Sequence, residues 1–263
     1  MDLKLTQKIA LVSGSTAGIG QAIAASLARE GASVIVSGRT SAAVDDAVAA
    51  MRAGASGEVL GFAGDLSDAA VVDALVRRHP RVDILVNNLG IFEVKPFEEI
   101  SDADWRRFFD VNVLSGARLA RHYLPGMLER NWGRIIFISS ESAYHIPAEM
   151  IHYGMTKAAQ IAVARGLAET TVGTGVTVNS VLPGPTRSRG VADFVGEMAA
   201  KSGESAQTVE QGFFKTARPT SLLQRFATPQ EVAAMVTYVA SPLSSATNGA
   251  ALRVDGGTIK SAF

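Results

Sequence analysis

Tyr153 and Lys157 lie four residues apart in the segment SSESAYHIPAEMIHYGMTK. On a helix that spacing stacks two side chains on one face. A phenol held beside an ammonium is a proton-transfer unit, because the cation favours the phenolate and draws the tyrosine pKa down from about 10. Ser140, thirteen residues before Tyr153, ends an apolar run that reads as a buried strand and could bring a hydroxyl to the same place. Taken alone, the Tyr/Lys pair equally describes an amphipathic helix surface.

A second cluster could bind the other half of a reaction. Gly14-Ser15-Thr16-Ala17-Gly18-Ile19-Gly20 joins an apolar run, Lys8–Ser13, to a helical pattern over Ile19–Glu30. Glycines permit positive φ and close approach to a pyrophosphate. The helix start beyond them offers free N–H groups and partial positive charge. The spacing is G-x-x-x-G-x-G, a wider turn than G-x-G-x-x-G. The next β-branched run ends in Ser37-Gly38-Arg39-Thr40. An acid there would accept from the ribose 2′-hydroxyl of NAD, whereas an arginine suits the 2′-phosphate of NADP. The arginine favours NADP, with NAD possible, and Ser15 and Thr40 could add hydroxyl donors; a solvated strand-end arginine is the bland alternative. Asp65-Leu66 and Asn87-Asn88-Leu89-Gly90 follow the third and fourth apolar runs. Ligands lie beyond the carboxyl ends of parallel strands, so these residues could hold adenine and ribose. Loop capping by Asp and Asn is the other reading.

Alternating elements must position these groups. Strand patterns cover Lys8–Ser13, Ser33–Ser37, Val59–Ala63, Asp83–Asn87, Arg134–Ser139, Val176–Val181 and Ala250–Val254. Helical patterns cover Ile19–Glu30, Val44–Met51, Val71–Arg78, Asp102–Glu129 with a break near Pro125, the Tyr153 segment and Pro229–Ala240. Seven strands alternating with helices predict an α/β fold, a doubly wound parallel sheet in a single domain. Pro183 to Pro229 holds no strand pattern but carries Phe194, Met198, Phe213 and Phe214. A stretch that long is usually functional, and its apolar residues argue against disorder. One or two mobile helices covering a pocket, a lid at about 187–223, are expected there.

Composition narrows the function. The 263 residues are 47% hydrophobic, enough for a sizeable core, and the 25 basic residues balance the 25 acidic ones. A nucleic-acid footprint is therefore not expected. With no cysteine, thiolate metal sites and disulfides are excluded. No signal peptide or membrane span is read, so a soluble cytoplasmic protein is the expectation.

Taken together, the motifs resemble the short-chain dehydrogenase/reductase family along nearly the whole chain. They are SGSTAGIG at 13–20, GDL at 64–66, NNLG at 87–90, Asn112 in DVNV, Ser140, YGMTK at 153–157, VNSVLPGPT at 178–186 and NGAALRVDGG at 248–257. The resemblance implies a Rossmann-like three-layer fold and hydride transfer between NADP(H) and a carbonyl or secondary alcohol. It implies Tyr153 as acid/base, Lys157 holding ribose hydroxyls and lowering the tyrosine pKa, and Ser140 bonding the substrate oxygen. Asn112 would kink its helix and hold a water linking Lys157 to solvent. Gly14, Thr16, Gly18, Ile19 and Gly20 belong to the nucleotide turn. Asn88 and Gly90 would lie at the adenosine ribose, Asp65 and Leu66 at adenine, and Pro183, Gly184 and Thr186 at the nicotinamide. A homotetramer or homodimer, pairing Asp102–Glu129 and the Tyr153 helix with their copies, is also implied. Leu89 for the usual alanine, Ser13 for threonine and Asn248 for threonine depart from the pattern without touching the proton-transfer residues.

Other residues near the motif carry weaker signals. Glu141, His145, Glu149 and His152 could suggest a metal, but His152 adjoins Tyr153 and so points about 100° away on a helix; no metal is expected. Glu141 or His145 lining the substrate pocket is the better reading. Arg187-Ser188-Arg189 could attract an acidic substrate or bridge to cofactor phosphates, or form a solvated charge pair. The alternatives to a small-molecule dehydrogenase are a 3-oxoacyl thioester reductase and a non-catalytic NADP-binding sensor or scaffold. The lid phenylalanines suggest a substrate with an apolar part.

Overall fold

The structure is a computed structural model that describes residues 1–262, except for the side chains of Arg189, Asp193, Phe194 and Glu197. Seven parallel strands form one sheet: β1 (Ile9–Val12), β2 (Ser33–Gly38), β3 (Val59–Ala63), β4 (Ile84–Asn87), β5 (Gly133–Ile138), β6 (Val176–Pro183) and β7 (Ala251–Val254). Their order across the sheet is β3-β2-β1-β4-β5-β6-β7. The order reverses beside β1, and such a switch point opens a crevice at the carboxyl ends of the strands. The strands are short apolar runs because both faces of the sheet are covered. β4, β5 and β6 are buried at every position.

Strand periodicity divides the core into two layers. Val12, Val34, Val36, Ile84, Val86 and Ile136 face α1 (Gly18–Arg29), α2 (Ser41–Arg52) and α9 (Pro229–Ala240). Leu11, Ile35, Leu85 and Ile135 face α3 (Ala69–Arg78), α5 (Ser115–Glu129) and α6 (Ile151–Glu169). Each fully buried Leu or Ile contributes about 1.5–3 kcal/mol. Side-chain caps start several helices: Thr40 for α2, Asp68 for α3, Ser101 for α4 (Asp102–Phe109) and Thr228 for α9.

Two readings of the sequence need correction. The long helix does not break at Pro125, which sits inside α5. Pro125 lies on the exposed face, where water can satisfy the carbonyl that a proline leaves unpaired. The break lies instead at Asp110–Leu114, a π-helical turn between α4 and α5. The strand-free stretch does hold two helices, α7 (Arg189–Ser202) and α8 (Ala206–Thr216). However, its described aromatics do not line a substrate pocket. Val195, Phe214 and Phe226 form a small core of their own, against which Phe213 packs. The Phe213, Phe214 and Phe226 rings lie 5.1–5.2 Å apart, centroid to centroid. They hold the two helices together, so they say nothing of an apolar substrate. The expectations for Phe194 and Arg189 fall outside the described side chains. Among the described residues, no helix is long and apolar enough to cross a membrane.

Candidate active site

The carboxyl ends of β1, β4, β5 and β6 bring the sequence motifs together. Lys157 lies on the inner face of α6, 5% exposed. Its Nζ donates to the Ile138 carbonyl at 2.9 Å and to Gln160 Oε1 at 3.1 Å. It stands 5.5 Å from the centre of the Tyr153 ring. A Cβ placed on Gly90 would lie 3.5 Å from both Lys157 Nζ and Asn112 Oδ1, so Gly90 adjoins both groups. Ser140, just beyond β5, is buried, and its hydroxyl accepts from the Ser142 N–H at 3.1 Å.

Burial dominates the electrostatics of the pair. It pushes the Lys157 ammonium down to about 7. It also pushes the Tyr153 phenol up to about 12; a hydrogen bond with Ser140 opposes this, Glu141 adds to it and Arg218 opposes it. Against the lowering expected from Lys157, the net shift of the phenol is upward, and desolvation is its largest cause.

Asn112 sits at the centre of the π-helical turn, a feature that often marks functional positions. Its Oδ1 accepts from the Ile91 N–H (2.8 Å), and its Nδ2 donates to the Ile91 carbonyl (3.0 Å) and Thr156 Oγ1 (2.9 Å). The main-chain carbonyl of Asn112 accepts from Gln160 Nε2 at 2.7 Å. Gln160 thus bridges Asn112 to Lys157 with one side chain. Sequence reading missed it; the signal was a polar residue one turn after Lys157, on the side of α6 that faces the core.

The nucleotide turn is held from below. Ser13 Oγ accepts from the N–H groups of Asn88 and Leu89, both at 2.9 Å. Asn88 Nδ2 donates to the carbonyls of Ser13 (3.0 Å) and Gly14 (2.9 Å). Gly14 has φ +62, and a Cβ on Gly20 would come within 2.4 Å of Gly14 O and Asn88 Nδ2. Only glycine fits Gly20 without moving the turn. Ser15 corrects an expectation. It is wholly buried; its N–H donates to the Ser37 carbonyl, and its hydroxyl donates to the Val12 carbonyl and accepts from the Ser37 N–H. Its donors are spent on bracing β1 against β2, so it offers no hydroxyl to a cofactor. Leu89 packs into the core layer beneath α5 and α6, and Asn248 accepts from the Val178 N–H at 2.8 Å; both substitutions are absorbed by packing.

The rest of this end suits a dinucleotide. Ala17 at the start of α1 provides no side-chain cap, so the first-turn N–H groups of Gly18, Ile19 and Gly20 have no side-chain acceptor there. Thr16 lies against Gly38, where a Cβ would be 2.5 Å from its methyl. Arg39 is exposed at the end of β2, and its charge reaches Asp65, whose carboxyl is held low mainly by hydrogen bonds from Ser67. Thr40 caps α2 by accepting from the Ala43 N–H. Leu66 is buried. Gly184 follows β6, with its Cβ position 2.6 Å from the Asp255 carbonyl, and Thr186 Oγ1 donates to Gly184 O at 2.9 Å. Pro183 ends β6 in register with Val254.

Glu141 and Arg218 complete the site. Arg218 Nε donates to Glu141 Oε1 at 2.9 Å, and both side chains are less than one-tenth exposed. His145 is exposed, and His152 turns away to lie 4.0 Å from the Phe108 ring, centroid to centroid. Among the described residues no group of three or more His, Asp or Glu could hold a metal. Arg187 pairs with Glu210 in α8, and Ser188 caps α7. Two surface concavities, of about 400 and 470 Å³, lie away from Tyr153.

Residues 14–258 match the family model described as enoyl-(acyl carrier protein) reductase. The chain belongs to the short-chain dehydrogenase/reductase family. It is 48% identical to the uncharacterized oxidoreductase YvaG of Bacillus subtilis (strain 168), over all of both chains. Among solved structures it is similar to L-sorbose reductase from Gluconobacter frateurii complexed with NADPH and L-sorbose. That match has 30% identity and a TM-score of 0.94, covering 99% of this chain and all of that one. It is also similar to a 7α-hydroxysteroid dehydrogenase complexed with NADH, at 29% identity and TM-score 0.82, covering 99% of this chain and 97% of that one. As a member of this family the protein is an oxidoreductase, and its doubly wound sheet is the family's nucleotide-binding fold.

Proposed function

We propose that the protein is an NADP(H)-dependent oxidoreductase that interconverts a carbonyl and a secondary alcohol, with Tyr153 as acid/base. The observation that carries this is the meeting of Ser140, Tyr153, Lys157 and Asn112 at one end of the sheet, beside an uncapped helix start. The turn from Gly14 to Gly20 and the free first-turn N–H groups of α1 fit a pyrophosphate. Arg39, with no acid at the end of β2, favours a 2′-phosphate. The NADPH complex of the sorbose reductase supports the same choice, while the NADH complex of the steroid dehydrogenase keeps NAD open.

A bound nicotinamide would supply or accept the hydride. The protein's part is to hold the carbonyl oxygen and manage its proton. Ser140 O–H and Tyr153 O–H would both point at that oxygen, where negative charge develops during reduction. A phenol held near 12 stays protonated at neutral pH, so Tyr153 is ready to act as the acid. Lys157 would meet the ribose hydroxyls and then steady the phenolate. Gln160 fixes Lys157 from behind. The segment 187–223 serves as a lid: Phe92 meets Tyr153 edge-on and lies under Gly190 at the start of α7. A homotetramer or homodimer pairing α4–α5 and α6 with their copies completes the reading.

Tyr153→Phe tests it. NADPH oxidation over a panel of carbonyls should fall by at least about 10²-fold, with NADPH binding retained. Equal inactivity of wild type and variant on every carbonyl, with tight NADPH binding, would favour the sensor or scaffold instead.

A further inference from the structure

His152 directly precedes Tyr153, yet no step of the reaction uses its imidazole. The ring is wholly buried, and neither Nδ1 nor Nε2 has a hydrogen-bond partner. It is wedged between α6 and α4, 4.0 Å from the Phe108 ring and 6.1 Å from the Trp105 ring, centroid to centroid. A buried N–H without an acceptor is costly, so an orphaned imidazole calls for a cause.

Its place in the fold supplies one. α6 carries Tyr153 and Lys157, and Phe108 stands just before the π-helical turn that carries Asn112. The ring therefore fills the seam between the two elements that must hold these three groups together. The loop before α4 is tied to the segment before α6 as well, by the Lys95 N–H donating to the Glu149 carbonyl at 2.9 Å.

A neutral ring suits this seam and a charged one does not. Glu93 and Lys95 face it from the loop before α4, and Asp104 and Arg107 face it from α4. On α6 the adjoining titratable group is Tyr153, about 100° round the helix. Lys95 already pairs with Asp104, and Arg107 with both Glu93 and Asp104, so an imidazolium would be a third cation on two carboxylates. It would also stand in the first turn of α6, at the positive end of the helix dipole. Burial holds the imidazole below its ordinary 6.5; Glu93 and Asp104 oppose this, and Arg107 and Lys95 add to it. In an opened seam the ring would meet water and regain its ordinary proton affinity, so falling pH favours opening.

We propose that His152 is a positioning residue that holds α4 and α6 together around Asn112 and Tyr153 only while its ring is neutral, so that mild acid reversibly opens the site.

Wild type, His152→Gln and His152→Met test it between about pH 7.5 and pH 5. Trp105 reports on the seam by its emission, and Trp132, the other tryptophan, is common to all three chains. In wild type the emission should shift to longer wavelength below about pH 6.5 and return on neutralisation. Backbone hydrogen exchange over α4, the π-helical turn and the start of α6 should quicken there too, compared with either variant at the same pH. Both variants should keep their neutral-pH emission. In the pH profile, kcat/KM of wild type should fall about tenfold per pH unit below the transition, more steeply than in the variants. A ring that merely fills space would give all three chains one profile. An emission that does not move in wild type, or moves alike in all three, overturns the switch. So does a loss of intensity with neither a shift nor faster exchange, which would mean an imidazolium accommodated in place. The wild-type course alone can overturn it, so the test stands even where a variant fails to fold. Emission and exchange need no substrate: a switch seen there with no turnover of any carbonyl would sink the reductase reading and leave His152 in its role.

Discussion

Gln160 is the residue at which the buried chemistry departs most from expectation. One amide fills the space between Lys157 Nζ and the Asn112 carbonyl. An amide holds a proton chain in place but does not readily pass a proton along. Its acceptor oxygen steadies the ammonium, which burial already holds near 7. Gln160→Glu would place a carboxylate beside Lys157 and raise its pKa, whereas Gln160→Leu would remove the acceptor and lower it. If the ammonium is the active form, the alkaline limb of kcat/KM should move up in Gln160→Glu and down in Gln160→Leu. A merely structural glutamine would lower activity without moving that limb.

Lys157 also sets a dependence of stability on pH. Its pKa falls from 10.5 in the unfolded chain to about 7 in the folded one. Between those values the unfolded chain binds more protons, so stability rises with pH. The burial penalty is felt in full below about pH 7 and fades as pH climbs. Relative to Lys157→Met, the wild type should gain roughly 2 kcal/mol between pH 7 and pH 9, read by urea denaturation. A parallel pH course for the two proteins would contradict it. Arg39 offers a separate test: Arg39→Ala should weaken NADPH by about 10- to 100-fold and NADH far less, measured by fluorescence titration. Equal losses would mean that Arg39 does not read a phosphate. At this scale, local spacing was legible. Tyr153, Lys157 and Ser140 announce themselves within eighteen residues. Glu141 and Arg218 lie 77 positions apart, and no short-range pattern joins them.

Among the elements, boundaries drawn from periodicity and caps agree closely for β3 and α9, the latter begun by Thr228, Pro229 and Glu231 as a capping box. The break at Asp110–Leu114 was legible only through the family resemblance, which implied a kink at Asn112; there the Asn112 side chain reaches Ile91, twenty-one residues away, whereas Pro125 gave a visible but misleading signal. The lid was legible as helices but not in its packing. Its phenylalanines serve its own cohesion, and that can be tested. Phe214 is 1% exposed in the lid's small core, and Phe214→Ala should cost roughly 3–5 kcal/mol locally. Limited trypsin digestion should then cut at Lys201 and Lys215 before the rest of the chain, as read by mass spectrometry. Unchanged digestion would show that α7 and α8 are held by something else.

For the whole molecule, the alternation of short apolar runs with helices was enough to foretell the parallel sheet, because each strand buried on both faces must be apolar throughout. Assembly beyond one chain is less legible, since a helix face used between copies resembles one used within. Ala168 is buried inside the core, whereas Ala162 and Gly166 on the same helix are exposed. Light scattering should give two or four times the chain mass; a monomer would refute the pairing of α5 and α6 with their copies.

The strand order has a consequence for how the chain is made. β1 lies inside the sheet with β2 on one side and β4 on the other. A nascent chain can therefore complete the nucleotide half, β3-β2-β1-β4, once residue 87 is free of the ribosome. That half then exposes the open edge of β4 until β5 arrives, about 45 residues or several seconds of synthesis later. β6 and β7 add outward in turn, each upon the last. The glycine turn is thus built before Ser140, Tyr153 and Lys157, and the unpaired edge of β4 is a site at risk of misassembly during synthesis.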